Sequence, residues 1–301
     1  MMNLAGVLAP IPTPFDDDGA IDFRRFRRAL IHWADTPLRG VVVLGSNGEA
    51  VLLDDDESDR VVAAARDEVP SSRLFIVGTG RESTRATIQA AARAASMGAN
   101  AVLVRTPGFF KTQMTAEAFM RHYSAVADAS PVPVLLYNFT AVTGVTVPVE
   151  AVARLANHPN IVGMKESNGD IERLAALVAV AHEDFEVLAG SASTFCEALL
   201  AGASGGILAL SAVIPETCVR VFELTTAGRI DEARSLQRQL TPLAKLVGAT
   251  YGVPGLKAAL KLVECDVGVP RSPLAPVGAE AVATIADALA LVAEVHGHTT
   301  S

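Results

Sequence analysis

Lys165 is the residue in this sequence whose type and position most directly suggest chemistry. It follows the apolar run Ile161-Val162-Gly163-Met164, so strand periodicity directs its amine into an apolar interior or against a covering layer. An amine in an apolar pocket loses solvation of its charged form, and the neutral amine can attack a carbonyl group to form a Schiff base. Pairing with a neighbouring carboxylate such as Glu166 is the structural alternative.

Two further sites end apolar runs in the same way. Tyr137 could move protons onto and off a reacting atom, or could simply cap a core as an amphipathic side chain. In Gly45-Ser46-Asn47-Gly48, backbone N–H groups and the Ser46 hydroxyl could converge on an anion such as a carboxylate. The flanking glycines would permit the left-handed or close-approach backbone that this needs. Taken alone, the segment is also an ordinary turn sequence.

The runs that precede these residues belong to a set of eight. Each is short and apolar throughout, as strands covered on both faces are, and an amphipathic stretch follows nearly every one. The pattern predicts an α/β fold, a closed (β/α)8 TIM barrel over residues 1–228, with its chemistry at the C-terminal strand ends. Helical pattern continues into a C-terminal helical extension over residues 229–301, with a hinge predicted at 251–255. The predicted strands are 7–11, 41–44, 74–77, 101–104, 134–137, 161–164, 187–189 and 207–210.

Composition excludes several classes of function. The 301 residues are 50% hydrophobic, and 33 acidic against 25 basic residues give a net charge of −8, which disfavours a nucleic-acid partner. No run approaches the roughly 18 to 20 apolar residues of a membrane helix, and the first residues have no charged segment before an apolar stretch, so no export signal is expected. Cys196, Cys218 and Cys265 form no close pair, so a reducing, cytoplasmic location is expected. The histidines have no metal-ligand spacing, so no metal is expected. The segment 78–83 (GTGRES) begins like a dinucleotide fingerprint but lacks its third glycine, so no organic cofactor is expected.

The chain resembles the dihydrodipicolinate synthase and N-acetylneuraminate lyase superfamily of class I pyruvate-dependent aldolases. The resemblance implies a TIM barrel followed by helices, assembled as a homotetramer (a dimer of dimers). It implies that Lys165 forms the imine, that Tyr137 shuttles protons with Ser46 beside it, and that Ser46, Asn47 and Gly48 bind the pyruvate carboxylate. Gly190 and Ile207 would line the imine pocket. The segments that carry it are 12–15 (PTPF), 45–49 (GSNGE), 137–138 with 143–144 (YN and TG), 161–167 (IVGMKES) and 205–207 (GGI).

Departures from the family bear on the substrate. Val142 stands where the synthase carries an arginine for the distal carboxylate of its second substrate, Phe139 replaces a valine, and Phe109 stands where the synthase lends a tyrosine to a neighbouring subunit. We expect Phe109, Phe110, Phe139 and Val142 to contact the substrate. The closest likeness is to the 4-hydroxy-2-oxoglutarate aldolase type, which also lacks the arginine but has tyrosines at the positions of Phe109 and Phe110.

These features together predict a lyase. It would cleave or form a 2-oxo acid from pyruvate and an aldehyde through an imine and enamine on Lys165, most closely as a 4-hydroxy-2-oxoglutarate aldolase does. Three alternatives stay open: a dehydratase of 2-oxo-3-deoxy sugar acids, a true dihydrodipicolinate synthase, and a barrel that binds a keto acid without turnover.

Overall fold

The computed structural model describes the backbone of residues 2–298 and the side chains of residues 2–292. Eight parallel strands, each paired with its neighbours in chain order, close into a barrel in which β8 returns to β1. The TIM barrel predicted from the sequence is therefore confirmed. The strands are β1 (Gly6–Pro10), β2 (Gly40–Val43), β3 (Leu74–Gly78), β4 (Ala101–Arg105), β5 (Val134–Asn138), β6 (Ile161–Glu166), β7 (Glu186–Ala189) and β8 (Gly205–Ile207).

Helices cover the outside of the barrel and continue beyond it. Several begin at the side-chain caps that satisfy free N–H groups at a helix start; in α2, Asp54 and Glu57 form a reciprocal capping box. The helices are α1 (Phe23–Ala34), α2 (Asp55–Glu68), α3 (Thr84–Ser96), α4 (Ala116–Ala129), α5 (Thr140–Thr143), α6 (Val149–Leu155), α7 (Ile171–Val180), α8 (Phe195–Leu200), α9 (Pro215–Thr226), α10 (Ile230–Lys245), α11 (Gly252–Leu262) and α12 (Ala279–His298).

Two apolar layers explain why the strands are apolar on both faces. One layer fills the barrel interior with side chains that include Leu8, Val42, Leu103, Leu135 and Ile207. The other lies between the strands and the surrounding helices. A parallel barrel buries both faces of each strand in this way, so alternation with polar residues is absent.

Two local predictions were wrong. The eighth strand is Gly205–Ile207, and the residues after it form a 3-10 turn. Gly205 allows β8 to lie close against β1, because a Cβ there would stand 2.1 Å from the carbonyl oxygen of Gly6. The expected hinge at 251–255 is instead the start of α11, and Pro254 lies in the first turn, where its missing N–H is not needed.

The C-terminal helices are built onto the barrel. Gln237 of α10 accepts a hydrogen bond from the backbone N–H of Cys196 at 3.0 Å and donates to the carbonyl of Ala192 at 2.9 Å. The domain boundary between residues 228 and 229 stays a prediction. Among the described residues, no helix is long and apolar enough to span a membrane.

Candidate active site

Lys165 and Tyr137 lie side by side at the C-terminal mouth of the barrel. They are register partners on β6 and β5, and Lys165 also faces Leu188 on β7. Register partners on parallel strands point to the same side of the sheet. The Lys165 side chain is buried, with 5% of the residue exposed, and its Nζ lies 4.4 Å from the centre of the Tyr137 ring. The apolar interior thus holds an amine against a phenol.

The structural alternative for Lys165 was an ion pair with Glu166, and Glu166 does not form it. It is buried on the opposite face of β6, where it accepts hydrogen bonds from Arg173 Nε at 2.9 Å and Asn138 Nδ2 at 2.9 and 3.1 Å. The backbone N–H of Asn168 adds a further bond. Within the described part of the chain, no carboxylate lies within ion-pair distance of Lys165 Nζ.

Tyr137 reaches across the barrel mouth toward the loop after β2. Its hydroxyl lies 3.1 Å from Ser46 Oγ, and either oxygen could donate the proton. Phe139 stacks against the Tyr137 ring with 6.2 Å between ring centres. The amine, the phenol and the serine hydroxyl therefore form one connected group.

The segment 45–49 is a compact turn, but its strained positions are not the expected glycines. Left-handed backbone falls on Leu44 and Glu49, both at a φ of 55°, while Gly48 allows close approach, since a Cβ there would stand 3.0 Å from the nitrogen of Leu44. Among the described residues, the backbone N–H groups of Ser46 and Asn47 donate to no protein acceptor. The turn therefore offers two free N–H donors beside a hydroxyl, which is a suitable arrangement for a carboxylate.

A buried ion pair holds this turn from behind. Lys257 of α11 lies 2.7 Å from Glu49 Oε1, and the two side chains are only 2% and 1% exposed. Lys257 Nζ also donates to the carbonyls of Thr13 at 2.8 Å and Val269 at 2.7 Å, and the Thr13 hydroxyl donates to the carbonyl of Gly48 at 2.7 Å. Burial lowers the pKa of Lys257, and the charge of Glu49 opposes that shift.

Arg271 completes the support. Its backbone N–H donates to Glu49 Oε2 at 2.8 Å, and its guanidinium donates to Glu57 and to the carbonyl of Gly19. Both cations lie over the ring of Phe15. Lys257 Nζ is 4.6 Å from the ring centre, and Arg271 Cζ is 4.4 Å from it. Residues far along the chain thus fix the turn that carries Ser46.

The remaining predicted site residues fall into two groups. Ile207 is fully buried in the barrel interior, and a Cβ on Gly190 would overlap Ser167 Oγ, so both are close-packed around the strand ends. Phe109, Phe110 and Val142 are exposed by 77%, 68% and 63%. These three side chains form part of the outer rim of the mouth in a single protomer, and their contact with substrate stays a prediction.

Two polar groups near the mouth were given no role in the sequence analysis, although Ser167 follows Lys165 and Glu166 at the end of a predicted strand. Ser167 Oγ is buried without a hydrogen-bond partner. The second group is Arg105, which ends β4 and is the register partner of Tyr137. The predicted strand stopped at residue 104. Because side chains alternate between the two faces of a strand, extending the prediction by one residue would have placed Arg105 on the inner face, with Leu103.

The loop after β4 is held by Glu82. Its Oε2 accepts from the backbone N–H groups of Gly108 and Phe109, each at 3.0 Å, and its Oε1 accepts from Arg105 at 2.7 Å. Burial acts to raise the pKa of Glu82, but these hydrogen bonds outweigh it, so the pKa is lowered and the carboxylate is charged. Among the described residues, no group of three or more His, Cys, Asp or Glu side chains could hold a metal ion.

Comparison with known proteins decides the family. The model of the dihydrodipicolinate synthetase family matches residues 3–291. This chain belongs to that family. A 4-hydroxy-tetrahydrodipicolinate synthase of Xanthomonas campestris is 37% identical over 92% of this chain and 91% of its own length. A protein of Emericella nidulans named "Probable 4-hydroxy-2-oxoglutarate aldolase, mitochondrial" is 36% identical over 92% of each chain.

The solved structures agree. A chloride-inhibited dihydrodipicolinate synthase of Acinetobacter baumannii, crystallised with pyruvate, superposes with a TM-score of 0.91 at 29% identity, over 96% of this chain and 99% of the other. As a member of the dihydrodipicolinate synthetase family, the protein is a carbon–carbon lyase of the pyruvate-dependent, Schiff-base aldolase class. Its relatives carry two different activity names, so the family alone does not select the substrate.

Proposed function

We propose that this lyase cleaves and forms a 4-hydroxy-2-oxo acid, as a 4-hydroxy-2-oxoglutarate-type aldolase, with Lys165 as the imine-forming amine. The observation that carries the proposal is the buried Lys165 amine, which has no carboxylate partner among the described residues and lies 4.4 Å from the Tyr137 ring centre. An amine so placed is in position to attack the 2-oxo carbon of a bound acid.

The carboxylate beside the keto group would bind at the turn after β2. The free N–H groups of Ser46 and Asn47 and the Ser46 hydroxyl offer donors at fixed positions, which would orient the carbonyl toward Lys165. Lys165 Nζ would bond to C2 to give a carbinolamine, and Tyr137 would give its proton to the departing C2 hydroxyl. Loss of this water would leave a protonated imine and a Tyr137 oxyanion, which can accept the next proton.

The imine cation would then draw electrons from the C3–C4 bond. As that bond breaks, the C4 hydroxyl gives its proton to Tyr137, aided by Ser46 at 3.1 Å, and C4 leaves as an aldehyde. The resulting enamine takes a proton at C3 through the same hydroxyl pair. Water then hydrolyses the pyruvate imine and restores the amine.

Borohydride reduction in the presence of pyruvate tests the proposal. A stable adduct is expected on the peptide that contains Lys165, and none in Lys165→Met or Lys165→Arg, with folding checked by circular dichroism. An intact wild-type protein that forms no adduct would overturn the imine. Release of pyruvate from 4-hydroxy-2-oxoglutarate, followed with a coupled dehydrogenase, distinguishes aldol cleavage from dehydration, which releases none.

A synthase activity is the second candidate, because several curated relatives carry that name. Against it stand Val142, where the synthases are expected to place an arginine, and Phe109, which has no hydroxyl to lend. Condensation of pyruvate with aspartate semialdehyde, measured beside condensation of pyruvate with glyoxylate, separates the two activities.

We also propose a homotetramer. Support comes from the exposed aromatic pair Phe109 and Phe110, whose rings meet edge to face with centres 5.1 Å apart. Exposed apolar side chains in a cluster are typical of association surfaces. Sedimentation velocity gives the mass directly, and a monomer at micromolar concentration would contradict the proposal.

A further inference from the structure

The Cα of Arg105 lies in the same layer of the barrel as Tyr137 and Lys165, the proposed catalytic pair. Its Cα is the register partner of Tyr137, and Tyr137 is in turn the register partner of Lys165. Because register partners on parallel strands project to one side, the Arg105 side chain leaves β4 on the face that Tyr137 and Lys165 share.

The Arg105 side chain then turns toward the β3 edge of the mouth. Its stem lies beside Gly80, where a Cβ would stand 2.6 Å from both Arg105 Cγ and the Arg105 backbone nitrogen, so Gly80 allows Arg105 to lie this close to the β3 edge. The Arg105 side chain is 22% exposed, and its Nη1 donates to Glu82 at 2.7 Å and to the carbonyl of Thr106 at 3.1 Å. Its Nε and Nη2 donate to no acceptor among the described residues.

The other cations around the mouth are engaged or differently placed. Arg173 is committed to buried Glu166, and Arg81 pairs with Asp55 at 3.0 Å. Lys111 is exposed and lies against Gly144, on the loop that carries Val142. Arg105 differs from these cations in two ways. Its Cα lies in the barrel layer of Tyr137 and Lys165, and its Nε and Nη2 donors are unused.

We propose that Arg105 binds the second carboxylate of the substrate, so that the preferred keto acids are dicarboxylates. The inference rests on the proposed function. Nε and Nη2 form one edge of the guanidinium, the geometry that takes both oxygens of a carboxylate. The Glu82 contact at Nη1 holds the group in place and leaves that edge open. Arg105 thereby supplies the charge that Val142 does not.

The test compares 2-oxoglutarate with 2-oxopentanoate, which differ only by a carboxylate or a methyl group at C5. The concentration of each that gives half-maximal borohydride trapping on Lys165 is measured. Wild-type protein is expected to need about tenfold less 2-oxoglutarate, a factor that corresponds to about 1.4 kcal/mol, because the guanidinium would form a charge-assisted pair with only one of the two acids. Arg105→Met should remove most of this preference, and Arg105→Lys should retain part of it.

Glu82→Gln and Lys111→Met are the matched controls. If Arg105 acted only through the loop after β4, Glu82→Gln would reduce the preference as much as Arg105→Met does. On the proposal, Glu82→Gln keeps or increases the preference, because the guanidinium loses a competing carboxylate, and Lys111→Met leaves it unchanged. Loss of the preference in either control, or its survival in Arg105→Met, overturns the proposal.

Failure of this inference is distinguishable from failure of the proposed function. If pyruvate is not trapped on Lys165 of the wild-type protein, the imine itself is wrong. If pyruvate is trapped but the two five-carbon acids are trapped equally, or not at all, only the role of Arg105 is wrong.

Discussion

The two halves of the candidate site are held by different parts of the molecule. Lys165 and Tyr137 are supported from behind by Glu166, which Arg173 and Asn138 bind within the barrel itself. The turn with Ser46 is supported by Glu49, whose cation Lys257 comes from the C-terminal helices. Each half uses a buried carboxylate paired with a cation, and this cation is half-buried in the case of Arg173 and buried in the case of Lys257. The difference teaches that the C-terminal extension is a structural component of the site.

Replacing Arg173, the cation that the barrel itself supplies to Glu166, should give the largest effect on pyruvate trapping. Arg173→Met leaves Glu166, whose side chain is 1% exposed, with amide donors but no positive charge. Breaking a buried pair from one side costs about 3–5 kcal/mol, and both strands that carry the amine and the phenol lose their support. We expect a lower maximal rate of pyruvate trapping and a lower free energy of unfolding in urea.

Arg220→Met, which breaks an exposed ion pair with Glu223, is the matched control and should change neither quantity measurably. Arg173→Lys keeps the charge and should recover part of the trapping rate. Wild-type trapping kinetics in Arg173→Met would show that Glu166 does not position the catalytic strands.

Replacing Lys257, the cation that the C-terminal helices supply to Glu49, should affect pyruvate trapping less and in a different way. Lys257→Met leaves buried Glu49 without its cation, which destabilises the protein by a similar few kcal/mol, but the disturbance falls on the proposed carboxylate-binding turn. The pyruvate concentration for half-maximal trapping should rise about tenfold or more, while the maximal trapping rate falls less than in Arg173→Met.

Lys261→Met, an exposed change on the same helix, serves as the control for Lys257→Met. If the two buried substitutions lower affinity and maximal rate in the same proportion, the division of the site into two independently supported halves is wrong.

The smallest effect is expected where the halves meet. Ser46→Ala removes the oxygen that lies 3.1 Å from the Tyr137 hydroxyl, and the half-buried position should cost little stability. We expect turnover of 4-hydroxy-2-oxoglutarate to fall by roughly tenfold, less than the roughly 10²- to 10⁴-fold contributed by a principal general acid–base group, because Ser46 only assists Tyr137. Ser46→Thr should keep most activity. Equal rates in Ser46→Ala and wild type would remove Ser46 from the proton path.

Much of this organisation could be predicted from the sequence. Eight apolar runs separated by amphipathic stretches are typical of the (β/α)8 barrel. Lys165 and Tyr137 were identified because each ends such a run. The eighth strand was misplaced because Gly205 and Gly206 carry no apolar signal, although the lack of a side chain on Gly205 is what allows β8 to approach β1.

The long-range contacts could not be predicted. Nothing in the local pattern around Lys257 or Arg271 indicates that they meet Glu49, since the contact depends on how three distant segments pack around Phe15. The left-handed positions at Leu44 and Glu49 were missed for a related reason. The tertiary contacts of Glu49 hold a backbone conformation that its own residue type disfavours.

The pairing of Glu49 with Lys257 has a consequence for how the site is completed during synthesis. Glu166 and Arg173 are seven residues apart, whereas Arg271 and Glu49 are separated by 222 residues. A ribosome therefore releases every element that holds Lys165 before the helix that steadies Ser46 exists. The chain thus contains every residue around the amine before it contains the cation that supports the proposed carboxylate-binding turn.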